Sequence, residues 1–198
     1  TKKNRIENGI YIGQISDNLF KNHKTESLKG AWEKFSISKE KNNLYIVGSD
    51  IRGTIYGIFK TAERLGVSPW KWWADVNPIR KEKLEISLPK EGITESPSVQ
   101  FRGIFLNDED WGLEPWAEKT FEPEVGNIGP KTYEKIFQLL LRLRANTIWP
   151  AMHPSTKGFF TLSGNKEMAQ KYHIVIGSSH AEPMLRNNVD EWKPKIHG

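Results

Sequence analysis

The chain contains no cysteine, which removes disulfides and thiolate metal sites and fits the cytoplasm and bacterial export equally well. No apolar run approaches the ~18 residues of a membrane helix, so no membrane contact is expected. Neither an RNP1-like motif nor a basic stripe interleaved with aromatics is present, and either would be the mark of a nucleic-acid surface. The net charge of +5 belongs to the first half: residues 1–100 carry 17 Lys and Arg against 12 Asp and Glu, and residues 101–198 carry 12 of each. Those lysines are scattered singly, so no nucleic-acid partner is expected. The chain also lacks an initiator Met and any apolar stretch behind its first four residues. It therefore reads as a trimmed or excised chain without a signal peptide of its own. What is present, 37% hydrophobic residues and eight Trp, describes a folded chain of one domain, or of a small and a partial one.

The stretch that organises the rest is VQFRGIFLNDEDW, residues 99–111. Val99, Phe101, Ile104, Phe105 and Leu106 predict a strand over 99–106 buried on both faces, as in a parallel sheet. Asn107 marks its break, and Asp108, Glu109 and Asp110 follow directly. A buried strand fixes its own end, which suits a catalytic group. Three adjacent acids repel one another, so at least one is expected to hold its proton unusually tightly.

Ahead of this stretch, apolar patterning predicts short strands over 10–13, 32–38 and 44–47, with a turn between the last two. A helix over 51–65 follows, closed by Gly66, with Ile51, Ile55, Ile58, Phe59, Ala62 and Leu65 as its inward stripe. The segment GSDIRGT, residues 48–54, approximates a phosphate loop but lacks the lysine that neutralises phosphate. Gly53 and Gly57 are better read as permitting close helix packing. Trp70, Trp72 and Trp73 read as a packing wedge at a domain interface, with a sugar-stacking platform as the functional alternative. Residues 77–97, with a weak strand over 84–88, read as a linker.

Beyond the acids, a long loop runs to residue 124. A helix follows over 130–145, with Pro130 in its first turn and Tyr133, Ile136, Phe137, Leu140 and either Leu141 or Leu143 inward. Strands over 147–149 and 173–177 and a helix over 166–172 complete a β-α-β-α-β series. A parallel sheet with right-handed crossovers follows, and in such sheets function collects at the strand C-termini. Here these ends carry Asn107 to Asp110, Trp149 to His153, and Ser178 to Glu182. Acids, imidazoles and an indole on one face suit a sugar site, and no G-x-G-x-x-G follows a strand. His180-Ala181-Glu182 matches the opening of the zinc deaminase signature, but the two thiolates that signature requires are missing. No metal site and no cofactor are expected.

Five blocks, GSDIRGTIYGIF (48–59), GVSPWKWWADV (66–76), FRGIFLNDEDWGLEPW (101–116), LLLRLRANTIWPAMH (139–153) and IGSSHAEPM (176–184), together resemble glycoside hydrolase family 115, the xylan α-1,2-glucuronidases. The resemblance implies an inverting enzyme that removes glucuronic or 4-O-methylglucuronic acid from xylan. It implies a secreted or periplasmic bacterial protein whose partner is glucuronoxylan or a related glucuronic-acid-bearing polysaccharide, and leaves a homodimer of the full-length protein open. The expected fold class is α/β: a truncated N-terminal α+β domain over residues 1–96, then the first three β/α units of an incomplete (β/α)8 TIM barrel over residues 97–198. Glu109, Asp110 and Asp108 correspond to the block that holds a catalytic carboxylate. Glu109 is the first choice and Asp110 the second. Trp149 and His180 correspond to substrate-pocket residues, and Asn107, His153 and Glu182 join them as substrate-binding candidates. A full barrel takes ~250 residues, so the chain is expected to be a fragment that is inactive alone. A non-catalytic carbohydrate-binding or scaffold protein on the same fold is the alternative.

Overall fold

A computed structural model describes residues 8–197 apart from 22, 24, 109, 181, 189 and 190. The chain divides into two compact units, Thr1–Gln100 and Phe101–Gly198, and is mixed α/β throughout.

In the first unit, β1 (Ile10–Gln14), β2 (Phe35–Glu40), β3 (Asn43–Gly48) and β4 (Ile93–Glu95) form one sheet in the order β1-β3-β2-β4. β1 runs parallel to β3, and the other pairs are antiparallel. The β2–β3 hairpin turns on Lys41, whose φ of 53° is left-handed. β3 is covered on both faces. Tyr45 and Val47 pack on Phe20 and Leu28, while Ile46 lies under Gly57 of α1 (Ile51–Arg64).

The start of α1 explains GSDIRGT. Asp50 caps the helix, its Oδ1 accepting from the Gly53 N–H at 2.8 Å and its Oδ2 from the Glu33 N–H at 2.6 Å. The Gly53 N–H, one of those a phosphate loop would present to a ligand, is thus met by the protein's own carboxylate. The helix ends in a Schellman turn, Val67 N–H to Ala62 C=O and Gly66 N–H to Glu63 C=O, with Gly66 at φ +97°.

Several expectations are corrected here. The buried face of α1 is Gly53, Thr54, Tyr56, Gly57 and Thr61, whereas Ile51 and Ile58 are exposed. Helix and sheet approach so closely that a Cβ on Gly53 would strike the Lys34 carbonyl and one on Gly57 would stand 2.7 Å from Ile46. Glycines, threonines and Tyr56, not Ile51 and Ile58, therefore make the buried face of the helix. β2 starts at Phe35 rather than residue 32, because Glu33 adopts a left-handed φ of 50°. No strand forms over 84–88; the fourth strand is Ile93–Glu95, paired with β2. Trp70 and Trp72 are exposed, and Trp72 meets Trp73 edge to face.

In the second unit, β5 (Gly103–Phe105), β6 (Thr147–Trp149) and β7 (Val175–Ile176) form a parallel sheet in chain order. Gly103 has no alternative, since a Cβ there would overlap the Thr147 carbonyl. Asn146, 1% exposed, ties the strand starts together: its Oδ1 accepts from Arg102 N–H, and its C=O accepts from Val175 N–H. β5 is shorter than expected and is not covered on both faces: Ile104 and Phe105 are exposed.

The loop expected after the acids contains α2 (Leu113–Trp116), which runs into a π-turn, Ala117–Phe121. Helix α3 (Pro130–Arg142) buries Thr132, Tyr133, Ile136, Phe137, Leu140 and Leu141, leaving Leu143 exposed. Its N-terminus is met by Glu122, 1% exposed, whose carboxylate accepts from the N–H groups of Lys131 and Thr132 and from the Thr132 hydroxyl. Gly129 leaves room for that carboxylate. Helix α4 (Asn165–Lys171) leads to β7.

Candidate active site

Parallel pairing of β5, β6 and β7 brings three loops to one edge of the second unit's sheet. Register aligns Phe105 with Trp149 and Ile148 with Ile176, so each loop leaves the sheet at nearly the same level.

The loop after β5 carries the acids. Asp108 is 7% exposed, and its Oδ2 accepts from the backbone N–H of Glu114 on α2. Asp110 is exposed, with a left-handed φ of 72°. Its Oδ1 lies 3.1 Å from His153 Nδ1, in the loop after β6, and the same nitrogen lies 3.2 Å from Ser155 Oγ. Glu109 lies outside the described residues. Asn107 is exposed along a shallow groove lined also by Leu106, Asp108, Trp111 and Leu113.

Trp149 ends β6 half-exposed. Its indole lies across Gly177, where a Cβ would come within 2.5 Å of the ring. That glycine lets the Nε1 edge of the Trp149 ring approach the backbone just past β7. Beyond it, Ser179 Oγ donates to Met152 Sδ at 3.0 Å and lies 3.3 Å from Nδ1 of the exposed His180. Glu182 turns inward: it is 6% exposed and accepts from Asn187 Nδ2 at 2.7 Å. Burial pushes its carboxyl above the usual range, opposed by the Asn187 hydrogen bond and reinforced by the charge of Glu191.

The structure thus joins Asp110 to His153 and lays Trp149 on the β7 end, next to the loop that holds His180. It turns Asp108 and Glu182 into the protein. Repulsion among the acids is felt at Glu114, a residue missed by sequence reasoning. Burial raises its carboxyl, helped by Glu118, Asp108 and Asp110 and opposed by Lys119. Asn127, also missed, is 4% exposed and donates to Glu114 Oε1 at 3.3 Å. Neither lies on a periodic apolar pattern; a buried polar contact across 13 residues leaves no local signal. Beneath the sheet edge, Tyr133 is 1% exposed, and burial raises its hydroxyl, with the charges of Glu182 and Asp108 adding to the effect. Among the described residues no group of three or more His, Asp or Glu could hold a metal ion.

The family model for glycosyl hydrolase family 115 matches residues 94–198. The chain belongs to that family. A solved family 115 structure, described as a 4-O-methyl-alpha-glucuronidase, BtGH115A, with specificity for decorated arabinogalactans, is 49% identical, with a TM-score of 0.87 over 96% of this chain. The chain spans 25% of that protein's length. No curated protein sequence matches. The family 115 model takes in all three strand-end loops. The solved structure extends the likeness into the first unit, where the blocks around Asp50 and the tryptophans lie.

Proposed function

We propose that the protein containing this chain is a glycoside hydrolase that removes glucuronic or 4-O-methylglucuronic acid from a polysaccharide with inversion of configuration. In this reading the second unit supplies the first β/α units of a (β/α)8 barrel. The observation that carries it is the Asp110–His153 contact, which joins an acid and an imidazole across the carboxyl ends of two parallel strands in a family 115 chain.

An inverting site needs a protonated acid on the leaving oxygen and a carboxylate that activates water, ~6.5–9.5 Å apart. The loop of Asp108, Glu109 and Asp110 provides one of the two. Glu109 and Asp110 are the favoured pair of candidates, because Asp108 already accepts a backbone N–H. The second carboxylate comes from strands outside this chain. His153 and His180 donate hydrogen bonds to the sugar carboxylate, Trp149 stacks on a sugar face, and Asn107 borders the groove. Glu182 holds its loop through Asn187 rather than touching substrate. A polymeric substrate places the protein in a secreted or periplasmic location.

Xylan is the substrate suggested by the sequence blocks, while the similarity to an enzyme specific for decorated arabinogalactans favours that polymer as a second reading. The test is incubation of the parent protein with glucuronosyl-decorated xylooligosaccharides and arabinogalactan. Release of glucuronate as the inverted anomer, followed by NMR, is expected from one or both. Binding without release would instead support a carbohydrate-binding role.

A further inference from the structure

Behind its exposed face, the candidate site is closed by a ring of hydrogen bonds through one buried carboxamide. The Asn127 Nδ2 group donates to Glu114 Oε1 at 3.3 Å and to the Ser155 carbonyl at 3.2 Å, while its Oδ1 accepts from the Lys157 N–H at 3.0 Å. Asn127 therefore grips both outward backbone groups of the turn that follows β6. That turn is closed internally by Thr156, whose N–H and hydroxyl both donate to the His153 carbonyl at 2.8 Å. On the other side, Glu114 binds Asp108 through its backbone N–H, and Asp108 begins the loop that ends in Asp110. The ring shuts where Asp110 meets His153.

We propose that Asn127 is a positioning residue of this site: it sets the turn that carries His153, and so the His153–Asp110 contact, with Glu114 as its anchor and not as an acid. The His153–Asp110 contact is exposed to water, where a lone surface pair holds geometry weakly. Among the described residues, Asn127 is a buried group that reaches both sides. Its three hydrogen bonds use both ends of the amide, so a side chain with only one kind of partner cannot replace it. The catalytic consequence rests on the glucuronidase reading; the positioning does not.

The test uses the parent protein with Asn127→Ala, Asn127→Asp and Glu114→Gln. The aspartate keeps an acceptor for Lys157 and loses both donations, so it serves if the alanine variant does not fold. A glucuronosyl-decorated oligosaccharide and its glucuronate methyl ester are compared by kcat/KM. Both Asn127 variants are expected to lose at least fivefold of the preference for the free acid, because His153 no longer faces the sugar carboxylate. Glu114→Gln, which retains the accepting oxygen, should keep activity and preference within threefold. Crystal structures of the variants should show His153 Nδ1 beyond hydrogen-bond reach of Asp110. Equal losses on acid and ester, or an intact His153–Asp110 contact in the Asn127 variants, would overturn the proposal. A parent protein inert toward both substrates would instead remove the glucuronidase reading, leaving the crystal structures to decide the role of Asn127.

Discussion

Among the described residues of the first unit, the buried carboxylate of Glu33 and the half-buried one of Asp50 are each answered by an N–H group or a cation. Asp50 caps α1, and Glu33, 2% exposed, meets Arg52 Nε at 2.5 Å. In the second unit the pattern splits. Glu122 is satisfied in the same way at the start of α3, but Glu114 and Glu182 are buried without an ion pair among the described residues and hold their protons more tightly than usual. Asp110 and His153 are left open to water. One unit uses its charges to hold a fold, and the other keeps some unneutralised at the edge of a sheet. A carboxylate left in that state costs stability as pH rises.

Glycine substitutions sharpen this comparison most strongly. Gly103→Ala drives a Cβ into the Thr147 backbone, which cannot yield, and should cost about 3 kcal/mol or more. Gly57→Ala meets side chains rather than backbone, the γ-methyl of Ile46 at 2.7 Å and Phe35 at 3.4 Å, and gains helix propensity, so a smaller net cost of about 1 kcal/mol is expected. Urea denaturation of both variants checks the order, and a reversed order would break the account of β5.

Next in size is a pair with opposite readouts. Asp50→Ala should lower stability by about 1–2 kcal/mol and leave the activity of each folded molecule unchanged. His153→Ala should change stability by less than about 0.5 kcal/mol yet lower kcat/KM tenfold or more. A smaller effect is expected from Gly177→Ala, which tilts the Trp149 ring off the β7 end. It should raise KM a few-fold with little change in kcat, as steady-state kinetics would show.

The smallest effect concerns pH. The carboxyl of Glu114 is raised in the folded state, so the stability linked to its protonated form is fully present below the unfolded value near 4.5. It is lost as pH rises through the folded value. Glu114→Gln removes that loss. The variant should therefore gain on the wild type as pH rises from 4.5 to 7, measured by denaturant midpoints at each pH. A gap that stays constant would contradict the assigned cause.

Local punctuation made much of this fold legible in advance. Pro130 and Gly66 mark helix ends, Thr147–Trp149 stands as a strand between a helix end and a proline, and three polar clusters each follow a strand. The mixed α/β class and the parallel run of β5, β6 and β7 follow from those signals. What stayed hidden depends on partners far along the chain. Hydrophobic periodicity could not see that α1 packs through Gly53 and Gly57, because it scores side chains and the contact is made where they are missing. The exposure of Ile104 and Phe105 depends on which elements cover each face of β5, which apolar content cannot reveal. Within the site, the strand-end acids and His153 were legible as polar residues after apolar runs. Glu114 and Asn127 were not, since their significance lies in hydrogen bonds to loops 13 and 28 residues away.

The central claim is that the acidic loop after β5 supplies a carboxylate to glucuronide hydrolysis. Its most direct test is the turnover of a glucuronosyl-decorated oligosaccharide by the parent protein carrying Asp108→Asn, Glu109→Gln or Asp110→Asn, each confirmed as folded. The account predicts a fall of at least about 10²-fold for Glu109→Gln or Asp110→Asn and a smaller one for Asp108→Asn. Unchanged turnover in all three would remove this loop from the reaction.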